Sequence, residues 1–134
     1  MALTGTIPVS TASRRSLIDV TDEVQSVVTA SGIAAGLCYL YTPHTTSGII
    51  INEGADPDVR RDILGALDRI VPSEYPYRHQ EGNSPAHLMA ALTGTSVTVF
   101  VAESRLQLGT WQRLFFCEFD GPRQRSLWWK ILAG

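Results

Sequence analysis

The sequence predicts an α+β fold in a single domain, a largely antiparallel sheet or sandwich with about three helices. The chain has 134 residues, the size of one ordinary domain, and is long enough to bury a core. Strand-like and helix-like segments are interspersed through the first two thirds, whereas the last third is strand-like. This order favours α+β over a doubly wound parallel sheet. No repeat or linker divides the chain, so we expect one domain over residues 1–134.

The strands are predicted from short runs of apolar and β-branched residues bounded by polar turns. The run at 33–42 is rich in leucine and tyrosine at successive positions, which predicts a central strand that is apolar on both faces. Glu103-Ser104-Arg105 is a polar break that suits a hairpin. The predicted strands are 6–11, 17–20, 33–42, 47–52, 95–101, 106–119 and 125–132.

The helices are predicted from their start and stop signals. Asp56-Pro57 and Ser84-Pro85 each combine a capping side chain with a proline in the first turn. Val24, Val27 and Val28 recur at helical spacing ahead of Gly32, which is a natural stop. The predicted helices are 22–31 capped by Thr21, 57–70 capped by Asp56, and 85–92 capped by Ser84, with Gly94 just beyond the last.

Composition excludes several functional classes. The formal charge of −2 gives no electrostatic support for nucleic-acid binding, and Arg123 with Arg125 is a short cluster typical of a solvated face. No segment approaches the ~20 apolar residues of a membrane span, and no secretory signal opens the chain, so we expect a cytoplasmic protein. Cys38 and Cys117 lie in apolar strand-like runs, which favours reduced core thiols over a disulfide between neighbouring strands.

The three histidines all fall in polar, turn-rich segments. His44 follows the predicted central strand, His79 lies in an irregular stretch, and His87 lies in the first turn of a predicted helix. Imidazole is the commonest metal ligand and the usual proton carrier near neutral pH. The backbone N–H groups at the start of that helix can also hold a phosphate or carboxylate. We therefore predict one histidine site for metal binding or proton transfer, although each ring alone is more often structural.

Carboxylates, amides and arginines supplement the histidines. Glu53 ends a run of isoleucines and is a candidate base or partner that orients a ligand histidine, or else a solvated turn residue. Gln112 and Glu118 interrupt an apolar strand on one face, and a buried Glu118 requires a cation or a subunit boundary. Two helix starts, three histidines and several arginines, including Arg78, suit a phosphorylated ligand.

The sequence resembles the YjbQ family, whose members are often described as secondary thiamine-phosphate synthases. The resemblance spans nearly the whole chain, in order, through four stretches. They are His44-Thr45-Thr46-Ser47-Gly48-Ile49 with Asn52-Glu53; Asp56 to Asp62; Arg78-His79-Gln80-Glu81-Gly82-Asn83-Ser84-Pro85-Ala86-His87; and Leu108 to Gln112 followed, further along, by Cys117 to Arg123. Two residues depart from the pattern: Ser104 stands where glycine is expected and Arg113 where a small residue is usual.

The resemblance implies a compact α+β subunit that forms a homotrimer around a polar site. The implied activity joins a pyrimidine methyl diphosphate to a thiazole phosphate, giving thiamine phosphate and pyrophosphate. The candidate catalytic residues are His44, Glu53, His79 and His87; the candidate substrate-binding residues are Thr45, Thr46, Arg78, Glu81, Asn83 and Gln112; and the three histidines are the candidate metal ligands. Zn²⁺ suits such a histidine cluster, whereas the Mg²⁺ that would assist pyrophosphate departure prefers oxygen ligands.

Three functional hypotheses follow. The first is an enzyme acting on a phosphorylated metabolite, including a metal-dependent phosphate or ester hydrolase. The second is a non-enzymatic protein that binds a metal or an anionic metabolite in the same pocket. The third treats the polar residues as a hydrogen-bonded network that holds subunits together.

Overall fold

The strands of the chain pair into two antiparallel sheets, and three helices complete the computed structural model, which describes residues 1–134. The predicted α+β class and the three helices are confirmed. The strands are β1 (Ala2–Ser10), β2 (Ser16–Asp19), β3 (Gly36–Tyr41), β4 (Ser47–Glu53), β5 (Ser96–Ala102), β6 (Arg105–Leu106), β7 (Gln112–Glu118) and β8 (Gln124–Ala133). The helices are α1 (Thr21–Ser31), α2 (Pro57–Ile70) and α3 (Ser84–Thr93).

The larger sheet has the order β1-β8-β3-β5-β6, so β3 is its central strand, as predicted. Only one face of this strand is buried. Cys38 and Leu40 point into the core, whereas Tyr39 and Tyr41 alternate with them and are exposed. The strand therefore has one face in the core and one aromatic outer face.

The smaller sheet has the order β2-β7-β4 and lies between two cores. Its inner side, including Phe116, packs against the larger sheet and α1 in a cluster of 15 buried residues. Its outer side, including Phe115, packs against α2 and α3 in a second cluster of 9 buried residues. Because both faces are covered, β7 is buried from Leu114 to Glu118.

The predicted strand at 106–119 is two strands in different sheets. β6 pairs with β5, whereas β7 pairs with β2 and β4. Between them the amide of Gln112 donates to the carbonyl of Gly109 at 3.0 Å, which closes a turn. This turn was not predicted from the sequence because apolar side chains flank it on both sides. Gly109 was the residue that indicated a break in the strand. The hairpin at Glu103 and Ser104 is confirmed, and both residues have positive φ, of 53° and 61°.

Two predicted helix caps differ in the structure. Thr21 is the first residue of α1, and its hydroxyl accepts the amide of Leu114 at 2.8 Å instead of capping the helix. Asn83, not Ser84, precedes α3, and its side chain forms no capping bond. Asp56 caps α2 as predicted, because its carboxylate accepts the amide of Asp58 at 2.9 Å.

Two smaller sequence predictions concern the thiols and the membrane. Cys38 and Cys117 are both free and buried, as predicted. No helix of the chain has the length and apolar character needed to cross a bilayer.

Candidate functional site

A polar pocket of about 450 Å³ opens where the β3–β4 loop, the start of α3 and the β7–β8 loop converge. None of its lining side chains is hydrophobic, although they lie beside two apolar cores. The lining residues are Pro43, His44, Thr45, Thr46, His79, Glu81, Asn83, His87, Asp120, Arg123 and Arg125. We call this the polar pocket. Its composition suits a small, highly polar ligand.

The three histidines line this one pocket, as their predicted convergence requires. His79 and His87 meet edge to face, with ring centroids 5.4 Å apart. The Nε2 atom of His79 lies 3.9 Å from a carboxylate oxygen of Glu81. His44 is anchored differently, because its Nε2 accepts the backbone N–H of Ser126 at 2.9 Å. Since Nε2 is an acceptor, the proton of the neutral His44 ring lies on Nδ1.

A buried ion pair forms the floor of the polar pocket. Glu118 is fully buried, and its Oε1 accepts Nε of Arg125 at 2.9 Å while its Oε2 accepts Nη2. Nη2 of Arg125 also donates to the Thr46 hydroxyl at 2.8 Å. Thr11 donates to Oε1 at 2.7 Å, and the amide of Asp120 donates to Oε2 at 3.0 Å. The predicted requirement that a buried Glu118 find a cation is therefore met by Arg125.

Burial and the ion pair together explain two pKa shifts. Burial raises the pKa of Glu118, but the hydrogen bonds from Arg125, the Asp120 amide and Thr11 outweigh burial and hold the pKa below its usual range. Burial, followed by the positive charge of Arg125, lowers the pKa of His44. His44 is therefore neutral at pH 7 and serves as a hydrogen-bonding group of the pocket wall.

Asp120 ties two parts of the rim together. Its Oδ2 accepts Asn83 Nδ2 at 2.9 Å and Arg123 Nη2 at 2.9 Å. These bonds outweigh the effect of burial and hold the pKa of Asp120 below its usual range. The Oδ1 atom of Asn83 is buried and has no hydrogen-bond partner. A ligand that carries a donor group could satisfy this oxygen.

The start of α3 offers less to an anion than the sequence predicted. Pro85 has no N–H, and the amides of Ala86 and His87 both donate to the carbonyl of Asn83, at 3.0 and 3.4 Å. The free donors expected at a helix start are thus largely used. Side chains, rather than backbone amides, must hold an anion in the polar pocket.

The formal charges that line the polar pocket cancel. Arg123 and Arg125 supply two positive charges, and Glu81 and Asp120 supply two negative charges. An anion is therefore held most strongly when an imidazole of the pocket is protonated. Nη1 of Arg125 forms no hydrogen bond within the chain, so it remains available to a ligand.

Some predicted site residues lie away from the polar pocket. Glu53 ends β4, which begins beside Thr46, so it lies roughly 20 Å from the pocket along the strand. Gln112 pairs with Glu53 across the sheet, and its side-chain oxygen accepts the Gly109 amide at 2.8 Å. Arg78 is exposed and does not line the pocket.

Arg113, which departs from the family pattern, lies at the same remote end. Its guanidinium donates to Asp19 at 2.8 Å and Asp22 at 3.2 Å. Its aliphatic carbons cover Gly54, where an added Cβ would meet Arg113 Cγ at 2.1 Å. The large side chain therefore fills a local surface and does not shape the polar pocket.

Sequence reasoning missed Asp120, Arg123 and Arg125 as pocket residues. The prediction that the arginine pair forms a solvated face is wrong for Arg125, which is only 7% exposed. The signal was present in the sequence, because Arg125 shares the inward-facing parity of Leu127 on β8. Combined with the requirement of Glu118 for a cation, that parity identifies the pair.

The hydrogen bond of His44 bears on whether all three histidines could hold one metal ion. No group of three histidine, cysteine, aspartate or glutamate side chains is spaced to hold a metal ion. The lone pair of His44 Nε2 is engaged by the Ser126 amide, and Nδ1 carries the proton. Coordination by all three rings would require His44 to release that amide, so the three histidines as arranged do not fit one ion.

Comparison with known proteins identifies the relatives of this chain. A family described as "UPF0047 protein YjbQ-like" matches residues 5–134. The chain belongs to the YjbQ/UPF0047 family. It is 46% identical to the UPF0047 protein YugU of Bacillus subtilis over 129 residues, which cover 96% of this chain and 98% of the relative. It is 43% identical to a UPF0047 protein of Methanocaldococcus jannaschii over 125 residues, which cover 93% of this chain and 91% of the relative.

Solved structures of YjbQ-like proteins share the whole fold. A protein of unknown function from Sulfolobus solfataricus has a TM-score of 0.95 at 34% identity and covers 100% of this chain and 99% of its own. An uncharacterised family member from Clostridium acetobutylicum has a TM-score of 0.92 at 46% identity, and the match covers 95% of this chain and 98% of that protein. The family resemblance predicted from the sequence is therefore confirmed, and the function of the family is uncharacterised.

Proposed function

We propose that this YjbQ family protein is a small enzyme that acts on a phosphorylated metabolite in the polar pocket. The observation that supports this proposal is the convergence of three imidazoles from three segments on a pocket without hydrophobic lining. Imidazoles supply proton transfer near neutral pH, and guanidinium groups bind phosphate oxygens. Both kinds of group line the same cavity.

The roles of the residues follow from their contacts. His79 and His87 are the pair suited to proton transfer, because their rings adjoin and Glu81 lies beside His79. Arg123 and the free Nη1 of Arg125 would hold phosphate oxygens, with Thr45 adding a hydroxyl. Glu118, Thr46 and His44 hold Arg125 and the loop in place.

The activity implied by the family resemblance is formation of thiamine phosphate from a pyrimidine methyl diphosphate and a thiazole phosphate. Departure of pyrophosphate develops negative charge, which arginine and protonated imidazole stabilise. The same groups would serve hydrolysis of a phosphate ester, which is the alternative reaction at this site.

The test is substitution of the adjoining histidines. We expect His79→Ala or His87→Ala to abolish product formation while the melting temperature stays within a few degrees, because both rings face the pocket and not the core. Arg61→Gln, in an exposed ion pair of α2, is the matched control and keeps full activity. Full turnover in both histidine variants would overturn the catalytic assignment.

Glu53→Gln tests whether the remote carboxylate takes part. The distance of Glu53 from the polar pocket predicts retained activity if each chain acts alone. Lost activity with an unchanged melting temperature would assign Glu53 to a site shared between subunits.

A second candidate function is non-catalytic binding of an anionic metabolite or a metal. The unpartnered oxygen of Asn83 and the charge balance of the pocket favour a bound ligand without requiring turnover. Saturable binding with no product from any phosphorylated candidate would support it. Metal analysis of purified protein tests the predicted Zn²⁺ or Mg²⁺: a transition-metal ion held by all three imidazoles would require His44 to rearrange.

We further propose that the outer face of the larger sheet forms the contact of a homotrimer. Aromatic side chains cover this face, with Phe100 69% exposed, Trp128 48% and Tyr39 38%. Several large exposed aromatic side chains on one face are typical of an association surface. Sedimentation of the wild type and of Phe100→Lys tests the proposal: we expect a trimer and a smaller species, respectively. A monomeric wild type would refute it.

A further inference from the structure

A second cavity adjoins the polar pocket and shares part of its wall. This cavity of about 280 Å³ shares Pro43, His44, Thr45 and His87 with the polar pocket. Its remaining lining residues are Tyr41, Thr42, Ala90, Ala91 and Thr95. We call it the side cavity. A ligand held by the histidines can extend from one cavity into the other.

The side cavity is less polar than the polar pocket, because alanine side chains of α3 line it. His87, Ala90 and Ala91 are three and four residues apart and lie on one face of α3. The helix thus presents an imidazole at the shared wall and two methyl groups beyond it. Tyr41, at the end of β3, also lines the side cavity, and its ring lies beside that of Trp128 with centroids 5.7 Å apart.

Two hydroxyls of the side cavity are free to bind a ligand. Thr42 is engaged, because its Oγ1 lies 2.6 Å from the Ser47 Oγ and its amide donates to the Thr95 carbonyl. The hydroxyls of Thr45 and Thr95 form no hydrogen bond within the chain and lie at exposed positions. The side cavity therefore offers apolar and aromatic surface with polar groups at its edge.

Building on the proposed function, we infer that the side cavity binds the uncharged organic part of the phosphorylated ligand, a single flat ring. Aromatic and imidazole faces pack against flat rings, and alanine methyls leave room for one. The side cavity of about 280 Å³ exceeds the ~150 Å³ of an apolar cavity that accepts benzene, so one ring fits in it. Ala91 lines this cavity at an exposed position, where a larger side chain would cover part of it.

The experiment compares two phosphate monoesters by calorimetry at one pH where both are dianions. Methyl phosphate reaches the polar pocket alone, whereas phenyl phosphate also fills the side cavity. We expect phenyl phosphate to bind wild-type protein about tenfold more tightly, the gain for removing one ring face from water. Ala91→Trp should remove this preference and leave methyl phosphate affinity unchanged.

Leu92→Trp is the matched control, since Leu92 is the next residue of α3, is exposed and lines neither cavity. It keeps the tenfold preference. If Ala91→Trp fails to fold, Tyr41→Ala replaces it and lowers phenyl phosphate affinity alone. Equal binding of both esters to the wild type, or an equal loss for both in Ala91→Trp, refutes the side cavity. Failure of both esters to bind the wild type refutes the phosphate site itself as well.

Discussion

The buried pair of Glu118 and Arg125 gives the sharpest stability prediction. Glu118→Gln keeps the side-chain shape but removes the charge that accepts two hydrogen bonds from Arg125. A hydrogen bond to a charged group contributes about 1.5–3 kcal/mol, and breaking a buried ion pair costs about 3–5 kcal/mol. Thr11 can reorient its hydroxyl toward glutamine. We therefore expect a loss of about 3–5 kcal/mol in the free energy of unfolding.

The assay is urea unfolding at fixed protein concentration, followed by circular dichroism. Arg123→Gln is the matched control, because Arg123 also pairs with a carboxylate nearby but its side chain is 52% exposed. Such a pair contributes about 0–1 kcal/mol. The double variant Glu118→Gln with Arg125→Gln should lose less than the sum of the two single variants, because each single variant leaves one buried charge uncompensated and the double variant leaves none. A loss below about 1 kcal/mol for Glu118→Gln would refute this reasoning.

Three further predictions concern a turn, a histidine and the thiols. Ser104→Gly should raise the free energy of unfolding by about 1 kcal/mol, because the positive φ of Ser104 is strained for a residue with a Cβ. Urea unfolding measures this gain, and its absence would contradict the turn geometry. The pKa of His44 is lowered in the folded state, so its contribution to stability is complete above the unfolded pKa of ~6.5 and declines as pH falls below it. Wild-type protein should therefore lose more stability than His44→Asn between about pH 7 and pH 5, and identical pH profiles of the unfolding midpoint would count against this. Burial raises the pKa of Cys38 to about 11 and of Cys117 to about 12, so a thiol reagent should label neither in the native protein and both after unfolding; rapid native labelling would contradict their burial.

The sequence predicted the elements whose signals are local. Asp56-Pro57 marks the start of α2 because a carboxylate that accepts a backbone amide and a proline with a fixed φ act within one turn. The hairpin between β5 and β6 was found for the same reason, since Glu103 and Ser104 interrupt an apolar run.

The predictions that failed depend on long-range partners. Thr21 has the side chain of a cap, but β7 competes for its hydroxyl through the amide of Leu114. The break between β6 and β7 was missed because the chain changes sheets there, and apolar periodicity does not report which sheet a strand joins. In each case the tertiary contact, not the local preference, decides the structure.

The candidate site was predictable in part. Imidazoles in polar turns indicated His44, His79 and His87, and all three line the polar pocket. Arg125 was not predicted, although its parity on β8 and the need of a buried Glu118 for a cation together pointed to it. Glu53 stays a prediction: β4 carries it to the end of the sheet away from the histidines of the same chain.

The most direct test of the central claim is a nuclear magnetic resonance titration of the three imidazoles with pyrophosphate. If one polar pocket binds phosphorylated ligands, the ring signals of His44, His79 and His87 should all shift saturably with a single dissociation constant. His87→Ala should weaken that binding in the two remaining rings. Ring signals that do not move, or that report unrelated constants, would contradict the account.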